Sequence, residues 1–364
     1  MSRRAASPGG AADREDAPVE PTSPAAHARW PEETAAFARG FDRGALRVVT
    51  WNLQLLPGTF AGQGGCPASL ERRAKRIVDN VLALARATRV DVVAFQEVWH
   101  EGAARALRAG LRALFPHQHR PAAYCGLLTV TRAGLPHAHA RFAPFRNTAG
   151  VEGWWFTKGV AAVVVETPPN MEATRENPYV AEPFAVLNAH AQSDFWASGA
   201  ATRASQMTQT REMLNEMARE RYSRLDSRDS ACDMTTLLVG DLNVAAGSEE
   251  YRAAMRALGD PTDILAADAL TGTDAFTFPI GAYVSTTFEA FPLCLMGSES
   301  FGAYVPRTPT KRLDHALRFR KRGDERRAGE KKAASAAIVL AGLARGEDGA
   351  PLSDHAPIFA VVRR

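Results

Sequence analysis

Leu237-Leu238-Val239-Gly240-Asp241-Leu242-Asn243 is an apolar run that ends in a carboxylate and an amide. Three consecutive branched side chains read as a strand buried on both faces. Alternation along a strand puts residues i and i+2 on one face, so Asp241 and Asn243 are expected to point into one cleft. The same pattern recurs outward along the chain. Leu46-Arg47-Val48-Val49-Thr50-Trp51 reads as a buried strand closed by Asn52, and Asp91 to Ala94 as a strand followed by Phe95-Gln96-Glu97. Lys158-Gly159-Val160 opens a strand to Val165. Phe184 to Asn188 is closed by His190 of Asn188-Ala189-His190-Ala191-Gln192. Arg312-Leu313-Asp314 leads a strand to Phe319, and Ser353-Asp354-His355 precedes one from Pro357 to Val362. Ala336 to Leu340 completes the set of strands.

Between these runs the period lengthens. Ser69 caps a helix expected to reach Arg86, with Leu70, Ala74, Ile77, Val78, Val81 and Leu82 on one face. Gly102 to Leu114 and Ala200 to Tyr222 are further helices, the latter turning Met207, Leu214 and Met217 inward. Many strands with few long helices predict packed sheets with helices outside. No linker interrupts the chain after its first residues. The expected organisation is a disordered Ala/Pro/Gly-rich and charged tail over residues 1–43 and one domain over 44–364.

The chain has 364 residues, 46% of them apolar, enough for a large core. No apolar stretch reaches the ~20 residues of a membrane-spanning helix, and the N-terminus lacks the apolar segment of a secretory signal. A cytoplasmic or peripheral-membrane monomer is the expectation, with secretion by another route left open. Cys66, Cys125, Cys232 and Cys294 show no C-x-x-C spacing. They read as free thiols of a reducing compartment, with one or two disulfides as the alternative for an exported protein. Charge is local. The segment 318–332 holds eight basic and three acidic residues, net +5 in a chain of net +4. It reads as a solvated hairpin tip, and otherwise as a contact for an anionic membrane or nucleic acid.

The polar motifs together supply carboxylates, amides and imidazoles, the parts for metal-assisted hydrolysis of a phosphate ester. Glu97 is a hard oxygen ligand suited to Mg²⁺, with Mn²⁺ as a substitute, and the Asn52 amide oxygen can join it. His355 is the expected general base. Asp314 would hold its tautomer, and Asp354 would support the metal or its waters. The pairs His117/His119 and His137/His139 have metal-like spacing but no accompanying carboxylate, and read as loop or edge-strand residues. His315 points away from the Asp314 face and reads as structural.

The set of motifs, in this order and on apolar strands, resembles the endonuclease/exonuclease/phosphatase superfamily over about residues 46–364. The resemblance implies a DNase I-like fold, a four-layer α/β (αββα) sandwich of two mixed β-sheets flanked by helices. It also implies that Asp241 and Asn243 orient the attacking water and the phosphate, either being placed to take a second metal. His190 would donate to the phosphate and stabilise transition-state charge. Within the superfamily, Phe156-Thr157-Lys158-Gly159-Val160, His190-Ala191-Gln192 and Gly247-Ser248-Glu249-Glu250-Tyr251 are similar to elements of the neutral sphingomyelinase-like phospholipase C branch. AP endonucleases share Gly-Asp-Leu-Asn-Val-Ala but carry tyrosine at the position of His190 and an acid at that of Gln54. The Trp-Cys-Asp-Arg element of inositol polyphosphate 5-phosphatases is absent around Asp314.

This branch implies sphingomyelin as substrate, cleaved to ceramide and phosphocholine at a membrane surface, with nucleic acid as the alternative partner. Lys158 would contact substrate. Trp154 and Trp155, in Gly153-Trp154-Trp155-Phe156, would form an interfacial wedge. The aromatic segment from Phe276 to Tyr304 is a second candidate. Packing into the core is the competing reading for both.

Overall fold

The computed structural model describes residues 45–56, 67–150, 152–165, 183–193, 198–224, 234–264, 313–319, 334–338, 353, 355 and 357–362. The expected tail, the segment 276–304, Asp354, most of the basic run, and Cys66, Cys232 and Cys294 lie outside them. Cys125 is a buried free thiol. Among the described residues no helix is long and apolar enough to cross a membrane.

Strands whose side chains are apolar at both parities must be covered on both faces, and this rule sets the layers. In β1 (Leu46–Leu55), Leu46 and Val48 enter one core while Val49, Trp51 and Leu53 enter another. Strand β2 (Val92–Val98) divides in the same way, Val92 and Ala94 against Val93 and Phe95. Strand β3 is His117–His119, β4 is Leu128–Thr131, β5 is His137–Pro144 and β6 is Gly159–Val165. In β7 (Phe184–His190), Phe184 and Val186 share the first core with Leu237 and Val239 of β8 (Thr235–Asp241). Their neighbours Ala185, Leu187 and Leu238 face a third cluster. The remaining strands are β9 (Thr262–Asp263), β10 (Asp314–Phe319), β11 (Ala334–Ile338) and β12 (Ile358–Val362).

Two six-stranded sheets result, in the orders β11-β12-β1-β2-β4-β3 and β5-β6-β7-β8-β10-β9. Each is mixed: one central parallel pair, β1/β2 or β7/β8, sits among antiparallel neighbours. Helices α1 (Pro67–Thr88) and α2 (Glu101–Leu111) cover the first sheet with Leu70, Ile77, Val81, Leu84, Leu107 and Leu111. On the other side, α4 (Gly199–Arg224) and α5 (Glu249–Leu258) cover the second with Met207, Met213, Met217, Met255 and Leu258. Helix α3 (Glu152–Trp155) is a single turn between β5 and β6. The architecture is the expected αββα sandwich.

The inter-sheet layer also holds two fully buried amides. Gln96 Nε2 donates to Asn188 Oδ1 at 2.7 Å and to Thr50 Oγ1 at 3.0 Å. Asn188 Nδ2 donates to the Phe95 carbonyl at 3.0 Å and contacts Thr129 Oγ1 at 3.2 Å. Buried polar groups left unpaired would cost about 1–3 kcal/mol each. Because the partners lie on opposite sheets, satisfying them fixes how the sheets sit on each other, and hence how their ends meet.

Candidate active site

Strand ends from both sheets meet at one rim. Register does much of the work. Parallel pairing sets His190 beside Asp241, and antiparallel pairing sets Asp314 opposite Asp241. The β7/β8 approach is close at Gly240, where φ is 132° and an added Cβ would lie 2.0 Å from the Ala189 carbonyl oxygen. Only glycine fits there. From the other sheet, β1 delivers Asn52 and β2 delivers Glu97.

Some local readings need correction. Strand β1 does not close at Asn52; it continues to Leu55 through an irregular step in its pairing with β2. Glu97 lies inside β2 rather than after it, at φ 57°. Strand alternation does not align Asp241 with Asn243, because β8 ends at Asp241. A turn does so instead: Asn243 takes φ 53°, and its N–H donates to Asp241 Oδ1 at 2.8 Å. Asn tolerates this left-handed region better than most residues.

The Asn52 side chain sits at the centre. Its Nδ2 donates to Asp241 Oδ2 at 2.9 Å and to Glu97 Oε1 at 3.1 Å, while its Oδ1 accepts from the Gln54 N–H at 3.1 Å. His355 stands across from it. Its Nδ1 is 2.7 Å from Asp314 Oδ2, so Nδ1–H donates to that carboxylate. The lone pair is thereby left on Nε2, which faces Asp241 Oδ2 at 3.8 Å and Asn52 Nδ2 at 3.5 Å. The backbone at His355 is pinned to β1. Ser353 Oγ donates to the Asn52 carbonyl at 2.6 Å and accepts from the His355 N–H at 3.1 Å, and Trp51 Nε1 donates to the His355 carbonyl at 2.9 Å.

His190 Nε2 lies 3.7 Å from Glu97 Oε1 and 3.8 Å from Asp241 Oδ2. Complete burial, with the Lys158 and His355 charges nearby, holds this imidazole well below its usual pKa, so it is neutral at pH 7. Burial pushes the Asp241 carboxyl up to about 6, and the Asp314 carboxylate adds to the rise; His355 and the Asn243 N–H oppose it.

Two sets of ligand atoms lie within 4.8 Å of one another: Glu97, His190 and Asp241; and Asp241, Asp314 and His355. The first set combines hard carboxylate oxygens with a buried imidazole that turns its Nε2 toward them. Such a donor set suits an oxygen-seeking dication. Asn52 would add its amide oxygen after a side-chain flip that gives up the Gln54 bond.

Lys158, expected to meet substrate, is buried. Its Nζ donates to the Ala191 carbonyl at 2.9 Å and pairs with Glu152 Oε2 at 2.9 Å. The Asn243 side chain also donates to the Ala191 carbonyl, at 3.2 Å. Glu152 further accepts from Gln192 Nε2 at 2.8 Å and from Ser193 Oγ. Trp154 and Trp155 are not core residues, being 85% and 62% exposed. Next to them, Phe156 packs on Trp99 at a tilt of 40° with ring centroids 4.3 Å apart, and Trp99 lies 6.1 Å from the His190 ring.

Sequence reasoning missed several supporting groups. The Gly-Ser-x-Glu-Tyr stretch begins a helix, α5, with Ser248 as its N-cap. Glu250 binds Arg203 at 2.6 Å, and Arg203 in turn donates to the Gln192 carbonyl at 3.1 Å. Tyr251 donates to Asp263 at 2.6 Å and stacks on the buried His315, whose Nε2 meets the Val244 carbonyl at 2.8 Å. These contacts brace the turn that carries Asn243. The capping pattern at Ser248 was the available signal.

The family model for the Endonuclease/Exonuclease/phosphatase family matches residues 49–355. No curated protein matches the chain. Similar solved structures include sphingomyelinase C from Streptomyces griseocarneus, 22% identical, covering 88% of this chain and 99% of that one at TM-score 0.56. A beta toxin from Staphylococcus aureus with bound magnesium ions is 17% identical, covering 88% and 100% at TM-score 0.57. Truncated TDP2 from Caenorhabditis elegans is 15% identical, covering 88% and 98% at TM-score 0.55. With its motifs on the expected strands and a family match across most of its length, this chain belongs to the Endonuclease/Exonuclease/phosphatase family.

Proposed function

We propose that the chain is a Mg²⁺-dependent phosphodiesterase of the sphingomyelinase type, hydrolysing sphingomyelin to ceramide and phosphocholine at a membrane surface. The observation that carries the lipid reading is where apolar surface is left uncovered. Among the described residues the exposed large apolar side chains are Tyr124, Trp154 and Trp155. They lie on two adjoining segments, tied by the Thr157 N–H donating to the Tyr124 carbonyl at 2.9 Å. Phe156, the residue that follows them, packs on Trp99, whose ring lies 6.1 Å from that of His190. Exposed Trp and Tyr beside a site suit the headgroup boundary of a bilayer. The sphingomyelinase-like motifs and the magnesium in the similar beta toxin support the same reading.

Magnesium bound by Glu97 and Asn52 would neutralise phosphate charge and steady the leaving oxygen. The chain's own residues supply the rest. His355 Nε2, its lone pair fixed by the Nδ1–H bond to Asp314, takes a proton from water held against Asp241. The water attacks phosphorus opposite the ceramide oxygen, and that bond breaks in line. Neutral His190 donates one hydrogen bond to a phosphate oxygen, where charge grows in the transition state. Asn243 orients the phosphate, its position set by the Ala191 carbonyl and the Asp241 bond.

The test is phosphocholine release from sphingomyelin in mixed micelles, with Mg²⁺ or EDTA, for wild type and Glu97→Ala. Release that requires both the ion and Glu97 is expected. Absence of release, with Mg²⁺-dependent cutting of plasmid DNA by the same sample, would move the substrate to nucleic acid and refute the lipid reading.

A further inference from the structure

Acids and bases are shared unevenly between the two helical layers. On the layer of α4 and α5 they pair: Arg203 meets Glu250 at 2.6 Å, Arg141 meets Glu216 at 3.2 Å and Glu220 at 2.8 Å, and Arg146 meets Glu212 at 3.2 Å. On the layer of α1 and α2 cations prevail. Arg72, Lys75 and Arg76 of α1 are exposed, as are Arg105 and Arg108 of α2 and its C-cap Arg112. The exposed acids of these helices are Asp79 and Glu101. Glu101 is already held by Arg120 at 2.6 Å. That hydrogen bond keeps its carboxyl below the usual range, and the charges of Arg105 and Arg108 add to the effect.

The fold gathers these cations into one patch. Gly102 of α2 lies against Glu71 of α1, and Gly110 against Val78, where an added Cβ would come within 2.7 Å of the valine side chain. The matched residues advance together, so the two helices run parallel. With about 1.5 Å of rise per residue and about 8–10 Å between axes, neighbouring cations stand roughly 10 Å apart or less, about one screening length at physiological salt. They therefore act as one field. Folding does not favour the arrangement. Arg72 and Arg76, like Arg108 and Arg112, are equal charges at i, i+4. Cations early in α1, which has no acid in its first turn, also oppose the helix dipole.

The patch begins at the rim of the active site. The Arg73 guanidinium donates to the Gln54 carbonyl, just past Asn52, and the His100 N–H, at the start of α2, donates to the Leu55 carbonyl at 3.0 Å. Besides binding Glu101, Arg120 donates to the Ala123 carbonyl at 2.9 Å, beside the exposed Tyr124. The cationic helices thus adjoin the segments that carry Tyr124, Trp154 and Trp155. We propose that the outer face of α1 and α2 is a docking surface for anionic phospholipid headgroups, which holds the aromatic rim against a negatively charged bilayer. This assignment rests on the membrane-acting function proposed above. Each Lys or Arg near an anionic leaflet adds to the attraction, and the adjoining Trp and Tyr suit its headgroup boundary. A nucleic-acid strand is tracked instead in a basic groove, whereas these cations stand on the outside of two helices.

The experiment sediments tag-free, full-length protein in EDTA with vesicles of phosphatidylcholine, either alone or with about one third phosphatidylserine. No sphingomyelin is present. Wild type is compared with the combined variant Arg72→Gln, Lys75→Gln, Arg105→Gln and Arg108→Gln, and with Arg252→Gln plus Arg256→Gln on the exposed face of α5. Wild type and the α5 variant should prefer the anionic vesicles by about 100-fold, less as NaCl is added, and the four-site variant should lose at least ~10-fold of that preference. Its Tm should equal or exceed that of wild type, because like charges have been removed. Equal binding of both vesicle types by wild type would overturn the proposal, as would an unchanged preference in the folded four-site variant. So would a salt-sensitive affinity for duplex DNA that the four substitutions abolish while vesicle binding stays, which would give the face to nucleic acid. None of these outcomes depends on hydrolysis. Sphingomyelin cleavage by a protein with no preference for anionic vesicles would refute the docking surface alone and leave the proposed function standing.

Discussion

Replacing Asp241 with asparagine should stabilise the metal-free protein while weakening its response to metal. Asp241 is buried, and its carboxyl is pushed from 3.8 up to about 6 by burial and by Asp314. Its charge is thus disfavoured in the folded state. A shift of this size corresponds to about 3 kcal/mol of lost stability once the group is ionised in both states. A raised folded pKa makes the loss pH-dependent in a definite sense. The loss is near zero below the ordinary value of 3.8, grows as pH rises, and is complete above the folded value near 6.

Asp241→Asn keeps an oxygen for the Asn243 N–H but turns an NH₂ toward Asn52 Nδ2, where Oδ2 now accepts. That mismatch costs about 1 kcal/mol. The net gain at pH 8 in EDTA is then about 2 kcal/mol, a rise in Tm of about 3 °C. At pH 4 the gain vanishes or reverses. Added Mg²⁺ should raise the wild-type Tm more than that of the variant, which lacks one carboxylate of the Glu97, His190 and Asp241 set. Differential scanning fluorimetry at pH 4 and 8, with EDTA or Mg²⁺, measures all four conditions. A variant less stable than wild type at pH 8 in EDTA would refute the reasoning, as would equal Mg²⁺ shifts in both proteins.

Three further outcomes are expected. Asp314→Asn should lower kcat by about 10³–10⁴-fold with little change in KM, because His355 loses the acceptor that fixes its tautomer; steady-state kinetics on any cleaved phosphodiester reads this. Asn188→Ala should destabilise the fold by roughly 2–4 kcal/mol in urea unfolding, since Gln96, Thr129 and the Phe95 carbonyl lose a buried partner together. Trp154→Ala with Trp155→Ala should weaken binding to sphingomyelin vesicles by about 10-fold or more, with Tm and hydrolysis of a soluble diester unchanged; loss of stability instead would show that these rings pack in the fold.

Layering was legible because the strands are apolar at both parities. Runs such as Leu237-Leu238-Val239 can exist only between two cores, and the structure supplies both. Catalytic candidates were legible because each sits beside such a run. What the sequence concealed depends on long-range pairing. The link between Gln96 and Asn188 spans 92 positions, and the approach of β3 to β5 sets the His117 ring beside that of His137. Edge strands such as β3, three residues long and only partly buried, carry too little apolar pattern to be read locally. The positive φ at Glu97 was equally hidden, whereas that at Asn243 belongs to a local turn closed on Asp241, which the apolar run before it masks.

The central claim is that one cluster, Asn52, Glu97, His190, Asp241, Asn243, Asp314 and His355, hydrolyses phosphodiesters with a bound dication. Its most direct test is cleavage of a soluble chromogenic phosphodiester by wild type, Glu97→Ala and His355→Ala, in Mg²⁺, in EDTA, and after Mg²⁺ is restored. Wild-type cleavage should stop in EDTA and return with the ion, while each variant falls by about 10²–10⁴-fold. Cleavage that persists in EDTA, or at the wild-type rate in His355→Ala, would contradict the account.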